Sequence, residues 1–358
     1  MSLRCGLIGL PSCGKTVIFN AITAARVPIY NGSEMNRIVV NVPDERMGQL
    51  VEMYQPREVV PVTLEVVDIP GIKAEDNGRG SRLLGNIKDV EVLIHVVRCF
   101  KNGEISIEDN TIDPVRDIET VDLELVAADS VTLENKLARL AKKVRGGDKN
   151  AIREAGDCEK VRVAIQEGIP ARKQGLTTQE LASIRECNLV SLKPVLYVAN
   201  IKNMTDAGNK PVQVLKQVAA DEGAEMIVVC GKDEADISEL DPEDRYVFLK
   251  ELGLEKSSME RLLHAAYGKL GLINFFTVGE DEVRAWTCHQ GDKAPVAAGK
   301  IHTDMESGFA RMEVMRYADL IQLGNEVAVA KAGKKRLEGR EYEVQDGDIV
   351  SVLFNPKG

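Results

Sequence analysis

At 358 residues the chain exceeds what one hydrophobic core ordinarily supports, so two or three domains are expected. An apolar content of 44% is that of an ordinary globular protein, and a net charge of −10 argues against a general nucleic-acid coat while leaving room for local basic patches. Seven cysteines without metal-type spacing read as reduced cytosolic thiols, no apolar run is long enough to span a bilayer, and Arg4 interrupts the apolar start, so a cytoplasmic protein without a signal peptide is expected.

The first predicted element is a strand through Leu7 and Ile8, followed by Gly9-Leu10-Pro11-Ser12-Cys13-Gly14-Lys15-Thr16 and a helix-like stretch over residues 17–22. Strand, G-x-x-x-x-G-K-[ST] and helix in that order form the context of a phosphate-binding P-loop. The glycines let backbone N–H groups approach an anion, and the helix N-terminus adds partial positive charge. Lys15 would reach the β- and γ-phosphates and the Thr16 hydroxyl would ligate Mg²⁺. Exposed at this helix start, Cys13 would have a lowered pKa and make nucleotide binding oxidant-sensitive. Buried, it is a passive small side chain.

Residues 27–35 are rich in turn formers and lie where a first switch loop is expected, with a strand at 37–42 and a helix at 44–54 to follow. Another strand over residues 59–68 ends in Asp68-Ile69-Pro70-Gly71. A carboxylate at such a strand tip is placed to hold Mg²⁺, and the Gly71 N–H to sense the γ-phosphate. Residues 78–80 fit a second switch. Ile72 stands where many GTPases carry a water-orienting glutamine, so catalysis rests on Mg²⁺, Lys15 and backbone donors, and slow turnover is expected.

Residues 90–97 are nearly all apolar, as in a central strand buried on both faces, and His95 within them reads as a core histidine. Helical periodicity runs over residues 117–144, breaks at Gly146-Gly147-Asp148, and resumes over 149–167. These are two long antiparallel helices, and Thr177 to Glu180 reads as a further helix start. Residues 121–190 hold 12 Lys/Arg against 11 Asp/Glu. That mixture suits either a solvated face or a partner-docking arm.

A strand at 194–199 delivers Asn200-Ile201-Lys202-Asn203, and one at 226–229 delivers Cys230-Gly231, as the base-side loops of such a domain. Asn203 occupies the place of the aspartate that accepts two hydrogen bonds from guanine. From residue 272 short strands suggest a small α+β module. Its cluster Lys331, Lys334, Lys335, Arg336 and Arg340 is either a solvated helix end or a contact for RNA or acidic protein.

Gly9-Leu10-Pro11, the run His95 to Phe100, Gly146-Gly147-Asp148-Lys149, Glu234-Ala235-Asp236-Ile237, the run Val283 to Thr287 and Ile301-His302-Thr303-Asp304 together resemble the YchF/Obg-like ATPase family over essentially the whole chain. The resemblance implies an α/β chain of three parts. These are a TRAFAC-class P-loop NTPase G domain with a mainly parallel sheet (1–120 and 191–271), a helical coiled-coil insertion (121–190) and a C-terminal β-grasp TGS domain (272–358). It further implies ATP in preference to GTP, and association with ribosomes or translation and with stress responses.

Carried over by position, Ser12, Cys13, Gly14, Lys15, Thr16 and Val17 would hold phosphates, Thr16 would ligate Mg²⁺, and Asn200 and Ile201 would contact the base; the strand-end reading adds Asp68 to the metal and Asn203, Cys230 and Gly231 to the base side. The family usually has Gly-Leu-Pro-Asn-x-Gly-Lys-Ser, where this chain carries Ser12 and Thr16. The first switch aligns Gly32 with the family's metal-binding threonine, so either Ser33 substitutes or the metal keeps an extra water. Asn203 departs from the family's Asn-x-x-Glu, yet its amide both donates to and accepts from adenine. The expectation is therefore a monomeric ATPase switch with a ribosomal partner, RNA contact through the C-terminal or helical part, and no DNA or membrane partner. The alternatives are a GTP-specific switch and a nucleotide-dependent scaffold with little hydrolysis.

Overall fold

The computed structural model describes residues 3–23, 36–70, 87–101, 111–238, 240–251 and 256–355. The switch segments expected at 27–35 and 78–80, with Ser33, Gly71 and Ile72, lie outside the described residues. The chain forms two compact units, Met1–Val40 with Glu65–Ala266, and Asn41–Leu64 with Tyr267–Gly358.

The first unit is built on β1 (Leu3–Ile8), α1 (Lys15–Thr23), β2 (Asn36–Asn41), β4 (Thr63–Asp68), β5 (Val92–Arg98), β6 (Val195–Ile201) and β7 (Glu225–Cys230), with the sheet order β2-β4-β1-β5-β6-β7. β1, β5, β6 and β7 pair in parallel. Every residue of β5 and β6 is buried, which is why their sequences are continuous apolar runs rather than alternating ones. On one face Leu93, Val97, Tyr197 and Ala199 meet Ile118, Val121 and Leu125 of α3 (Pro114–Arg145) and Val212, Leu215 and Ala219 of α6 (Lys210–Asp221). His95 sits in this layer with its ring 5.6 Å from that of Tyr197, and burial pushes its pKa down to about 3. It is a neutral core residue, as the sequence suggested.

α3 carries 32 residues and, at 1.5 Å per residue, is about 48 Å long. α4 (Lys149–Gln166) returns against it after the Gly146-Gly147-Asp148 turn, with Asp148 accepting from the N–H groups of Asn150 and Ala151. A second small core of Val126, Leu133, Cys158, Val161, Ile165 and Ile184 joins the hairpin to α5 (Thr178–Ile184). α5 begins in the expected capping box, with Thr177 and Glu180 bonding each other's backbone N–H. The unit is completed by α7 (Gly231–Ser238), α8 (Pro242–Glu251) and the start of α9 (Ser258–Lys269).

The hairpin is fixed at its root by buried charge. Asp122 of α3 accepts from Arg172 at 2.6 Å and lies 3.0 Å from Lys173, both just beyond the hairpin. The two cations also face Glu222, which accepts from the Tyr197 hydroxyl of β6 at 2.9 Å. Seven residues along α3, buried Asp129 accepts from the backbone N–H groups of Val190 and Ser191 at 2.8 Å each.

The second unit holds α2 (Glu45–Tyr54), β3 (Glu58–Val60), β8 (Leu272–Thr277), β9 (Glu282–His289), α10 (Ala294–Ile301), α11 (Thr303–Ser307), β10 (Phe309–Arg316), α12 (Tyr317–Leu323), α13 (Glu326–Lys331), β11 (Arg336–Glu338) and β12 (Asp348–Phe354). Its sheet order is β11-β10-β12-β8-β9-β3. The first and last strands of the 272–355 segment, β8 and β12, lie side by side in the middle of the sheet and pair in parallel at Phe276 and Ile349. β8 and β9 form a hairpin, and Ala294, Ala297 and Ala298 of α10 bury against Phe275, Met312 and Val350. This is the expected β-grasp arrangement.

Two expectations are corrected here. The single strand over residues 59–68 is two, because Pro61 has no N–H for a ladder; β3 joins the second sheet beside β9 and β4 the first. Residues 41–64, expected within the G domain, belong with the C-terminal unit. Asp44, the N-cap of α2, accepts from the Arg46 guanidinium at 2.8 Å and from Asn274 Nδ2 at 3.0 Å, while Arg46 reaches on to Asp346 at 2.8 Å. Tyr54 donates to Glu326 and Tyr317 to Gln49.

The buried root of the hairpin gives a stability prediction. Asp122→Ala removes one of the two carboxylates that Arg172 and Lys173 share, leaving the buried Arg172 to Glu222 alone, and is expected to cost about 3 kcal/mol or more. Glu159→Ala removes only a half-exposed partner of Arg162 and is expected to cost less than about 1 kcal/mol. Urea titration of the three proteins measures both, and equal costs would contradict a structural role for the buried cluster.

Candidate nucleotide site

The loop between β1 and α1 owes its shape to three left-handed residues. Gly9, Ser12 and Gly14 have φ of 146°, 61° and 96°. A Cβ on Gly9 would lie 2.4 Å from the Val96 carbonyl oxygen of β5, and one on Gly14 would lie 2.1 Å from Asn200 Nδ2 of β6. The loop is thus drawn tight against the two central strands, and side chains at those points are excluded. Its turn leads into the first turn of α1, where helix geometry leaves N–H groups without intrahelical acceptors.

Lys15 is buried and its ammonium turns back into the loop, donating to the carbonyls of Gly9 at 2.9 Å and Leu10 at 2.8 Å. The Thr16 hydroxyl donates to Asp68 Oδ2 at 3.1 Å, so residues 52 apart in sequence meet at the tips of α1 and β4. Burial raises the Asp68 pKa, opposed by the Thr16 hydrogen bond, the Lys15 charge and a hydrogen bond from Asn36. Asn36, at the start of β2, was missed in the sequence. It lies beside the expected first switch but matches no motif.

Asn200 joins the two sides of the site. Its Nδ2 donates to the Cys13 carbonyl at 2.9 Å and its Oδ1 accepts from the Gly231 N–H at 3.3 Å. It therefore braces the phosphate loop against the loop after β7, a role the sequence assigned only to base contact. Gly231 opens α7 and lies close to Val17 of α1. The side chains of Ile201 and Cys230 are buried, and the Cys230 thiol donates to the Lys202 carbonyl at 3.1 Å. These two positions offer backbone rather than side chain to a ligand. Asn203 is exposed at the edge of the strand ends.

Cys13 is buried rather than exposed. Burial raises its pKa against the pull of Lys15, so the oxidant-sensitive thiol considered from the sequence is replaced by a protonated, inert one. All seven cysteines are buried free thiols.

The arrangement gathers Ser12 to Val17, Asp68, Asn200, Cys230 and Gly231 at the carboxyl ends of parallel strands, where open α/β sheets bind ligands. Thr16 and Asp68 supply hydroxyl and carboxylate oxygens, the hard donors that suit Mg²⁺. A buried carboxylate with a raised pKa gains from a dication beside it. The residues therefore fit the ion.

One substitution and one labelling experiment test this geometry. Gly14→Ala drives a methyl into Asn200 and is expected to weaken nucleotide binding by tenfold or more, equivalent to about 1.4 kcal/mol; calorimetry showing unchanged affinity would contradict the tight approach. Cys13 is expected to resist iodoacetamide in the native protein at neutral pH and to react once the chain is denatured. Peptide mass spectrometry reads the difference, and equal rates would show an open thiol.

Comparison with known proteins agrees with this architecture. A family model described as a 50S ribosome-binding GTPase matches residues 4–136, and the C-terminal model of the YchF GTPases, described as a protein of unknown function, matches residues 272–355. The ribosome-binding ATPase YchF of Bacillus subtilis is 41% identical, covering 99% of this chain and 100% of the relative. That of Mycoplasma genitalium is 38% identical over 99% of each chain. The solved structure of the Schizosaccharomyces pombe YchF GTPase superposes with a TM-score of 0.86 at 33% identity, covering 98% of both chains. With full-length relatives at 41% identity and the C-terminal YchF model on residues 272–355, the chain belongs to the YchF family.

Proposed function

We propose that this chain is a magnesium-dependent ATPase of slow intrinsic turnover that acts as a ribosome-associated switch. The observation that carries the reading is the glycine-hinged loop with Lys15 inside it and the Thr16–Asp68 pair at its mouth. On binding, β- and γ-phosphate oxygens replace the carbonyls of Gly9 and Leu10 around the Lys15 ammonium, and the N–H groups of residues 12–17 cradle the phosphates. Thr16 and Asp68 hold the metal. Magnesium, when bound, neutralises developing charge on the phosphate oxygens. Lys15 and the loop N–H groups, with that of Gly71, do the same from the protein side, and no side chain orients water at Ile72.

Base recognition rests on Asn203 and on backbone groups of Ile201, Cys230 and Gly231, with Asn200 keeping them in register with the phosphate loop. A neutral amide at position 203 meets adenine's donor and acceptor edge better than the donor pair of guanine. The relatives named as ribosome-binding ATPases support ATP as substrate and the ribosome as partner, and a ribosomal partner in turn supports a cytoplasmic location. The reading keeps three working parts: residues 1–40, 65–120 and 191–271 for nucleotide, 121–190 as a docking arm, and 272–358 with 41–64 as a readout module. No helix among the described residues is long and apolar enough to cross a membrane.

Calorimetric titration with non-hydrolysable ATP and GTP analogues in magnesium, side by side, tests the substrate. The ATP analogue is expected to bind tenfold tighter or better, a difference of about 1.4 kcal/mol, and Asn203→Asp is expected to narrow that margin by restoring guanine's bidentate acceptor. Tighter GTP binding by the wild type would overturn the adenine reading. Lys15→Ala is expected to abolish phosphate release, and release that persists in it would place hydrolysis elsewhere.

A further inference from the structure

Cys158 lies midway along α4, and Cys187 ends the one-turn helix Arg185–Cys187 that follows α5 directly. Both belong to the small core that joins the hairpin to α5, with exposures of 0% and 7%. The two segments are stitched together around the thiols. Asp157, next to Cys158, accepts from the Ser183 hydroxyl at 2.6 Å. Glu154, one turn before Cys158, and Glu186, next to Cys187, share the Lys136 ammonium of α3 at 2.6 and 3.0 Å. Lys160 of α4 pairs with Glu180 of α5. Within that frame the Cys158 and Cys187 side chains are hydrogen-bonded to each other.

Packing alone does not account for the pair. A buried thiol resists ionisation, and burial pushes up the pKa of Cys5, Cys13, Cys99, Cys230 and Cys288. Cys187 shifts the other way. A hydrogen bond from the Cys158 thiol favours its thiolate and outweighs burial; the Lys136 ammonium adds to the pull, and Glu154 and Glu186 oppose it. The same bond, together with burial, keeps the Cys158 thiol protonated. One partner is thus disposed to lose its proton and the other to hold it, which is the division between an attacking and a resolving thiol. The pair's slight exposure also belongs to Cys187.

We infer that Cys158 and Cys187 are a peroxide-oxidised dithiol whose disulfide staples α4 to the end of α5. In the first step the Cys187 thiolate attacks one oxygen of hydrogen peroxide and the O–O bond breaks. The leaving hydroxide takes up the proton that Cys187 released, so the peroxide yields water and Cys187 becomes a sulfenic acid, oxidised by two electrons. In the second step the Cys158 sulfur attacks the Cys187 sulfur and the S–O bond breaks. The departing hydroxide leaves as water with the Cys158 proton. Two thiols and one peroxide give one disulfide and two waters, and a dithiol reductant reverses the change by exchange. Asp157–Ser183 and the shared Lys136 already hold the two segments side by side, so closure asks for movement of side chains rather than of helices. The chemistry needs neither nucleotide nor ribosome and stands apart from the ATPase reading.

The test uses the full-length protein, reduced, freed of reductant and exposed to hydrogen peroxide. Peptide mass spectrometry without reductant is expected to show a Cys158–Cys187 linked peptide that is lost on adding dithiothreitol, while Cys13 stays a thiol. In Cys158→Ala, Cys187 is expected to stop at the sulfenic acid and take a dimedone label, whereas Cys187→Ala is expected to show neither the link nor a label on Cys158. Amide hydrogen exchange over residues 149–187 is expected to slow when wild type is oxidised and to stay unchanged when Cys158→Ala is oxidised. Wild-type protein that keeps both thiols under peroxide while its circular dichroism stays native would overturn the inference without recourse to any variant. Equal dimedone labelling of Cys158 in Cys187→Ala would remove the assigned roles, and unchanged exchange in fully linked wild type would remove the staple.

Discussion

The side-chain amide of Asn200 sits where three strand ends converge, donating to the Cys13 carbonyl and accepting from the Gly231 N–H. Because each partner is a backbone group, the amide ties the paths of two loops rather than the positions of two side chains. The approach is close enough that Gly14 has no room for a Cβ. Every other feature of the site inherits its place from this clamp. Lys15 follows Gly14 directly, Thr16 is aimed at Asp68 by the first turn of α1, and Gly231 starts α7 against Val17.

What the sequence revealed and what it hid divide by range. The phosphate loop, the buried run of β5, the Gly146-Gly147-Asp148 break and the Thr177–Glu180 capping box are local patterns, and each was legible because neighbouring residues dictate it. The Asn200 brace spans nearly two hundred residues, and no spacing rule announces it. The same holds for Asp44, whose partners include Asn274, and for Tyr54 with Glu326. Pro61 was a visible signal that the strand at 59–68 should be divided, since a residue without an N–H interrupts a ladder. Its consequence, that the two halves enter different sheets, was not visible. α10 and α12 escaped because short alanine-rich or mixed helices leave weak periodicity.

Charge tells a similar story in both units. Where carboxylates and cations are buried they are paired several ways: Asp122 with two cations, Arg46 with two carboxylates. Such clusters add little net stability over apolar packing but punish the loss of any one member, so they define a single arrangement of the segments they join. A composition count over residues 121–190 averages these buried pairs with the exposed charges of the hairpin and reports near-neutrality. Only the fold separates charge that holds the protein together from charge left facing solvent.

The passage of residues 41–64 through the C-terminal unit has a consequence for how the protein is divided and inherited. β4 ends at Asp68 beside Thr16, while its first two residues, Thr63 and Leu64, still belong to the unit that holds α2 and β3. The C-terminal 87 residues therefore do not form a bead that can be removed from a string. A chain ended at residue 271 would keep α2 and β3 but lose β9, Asn274, Asp346 and Glu326, their partners in this unit. In this architecture the nucleotide unit and its C-terminal companion are interleaved in sequence. A cut at residue 271 therefore divides the second unit rather than separating it from the first.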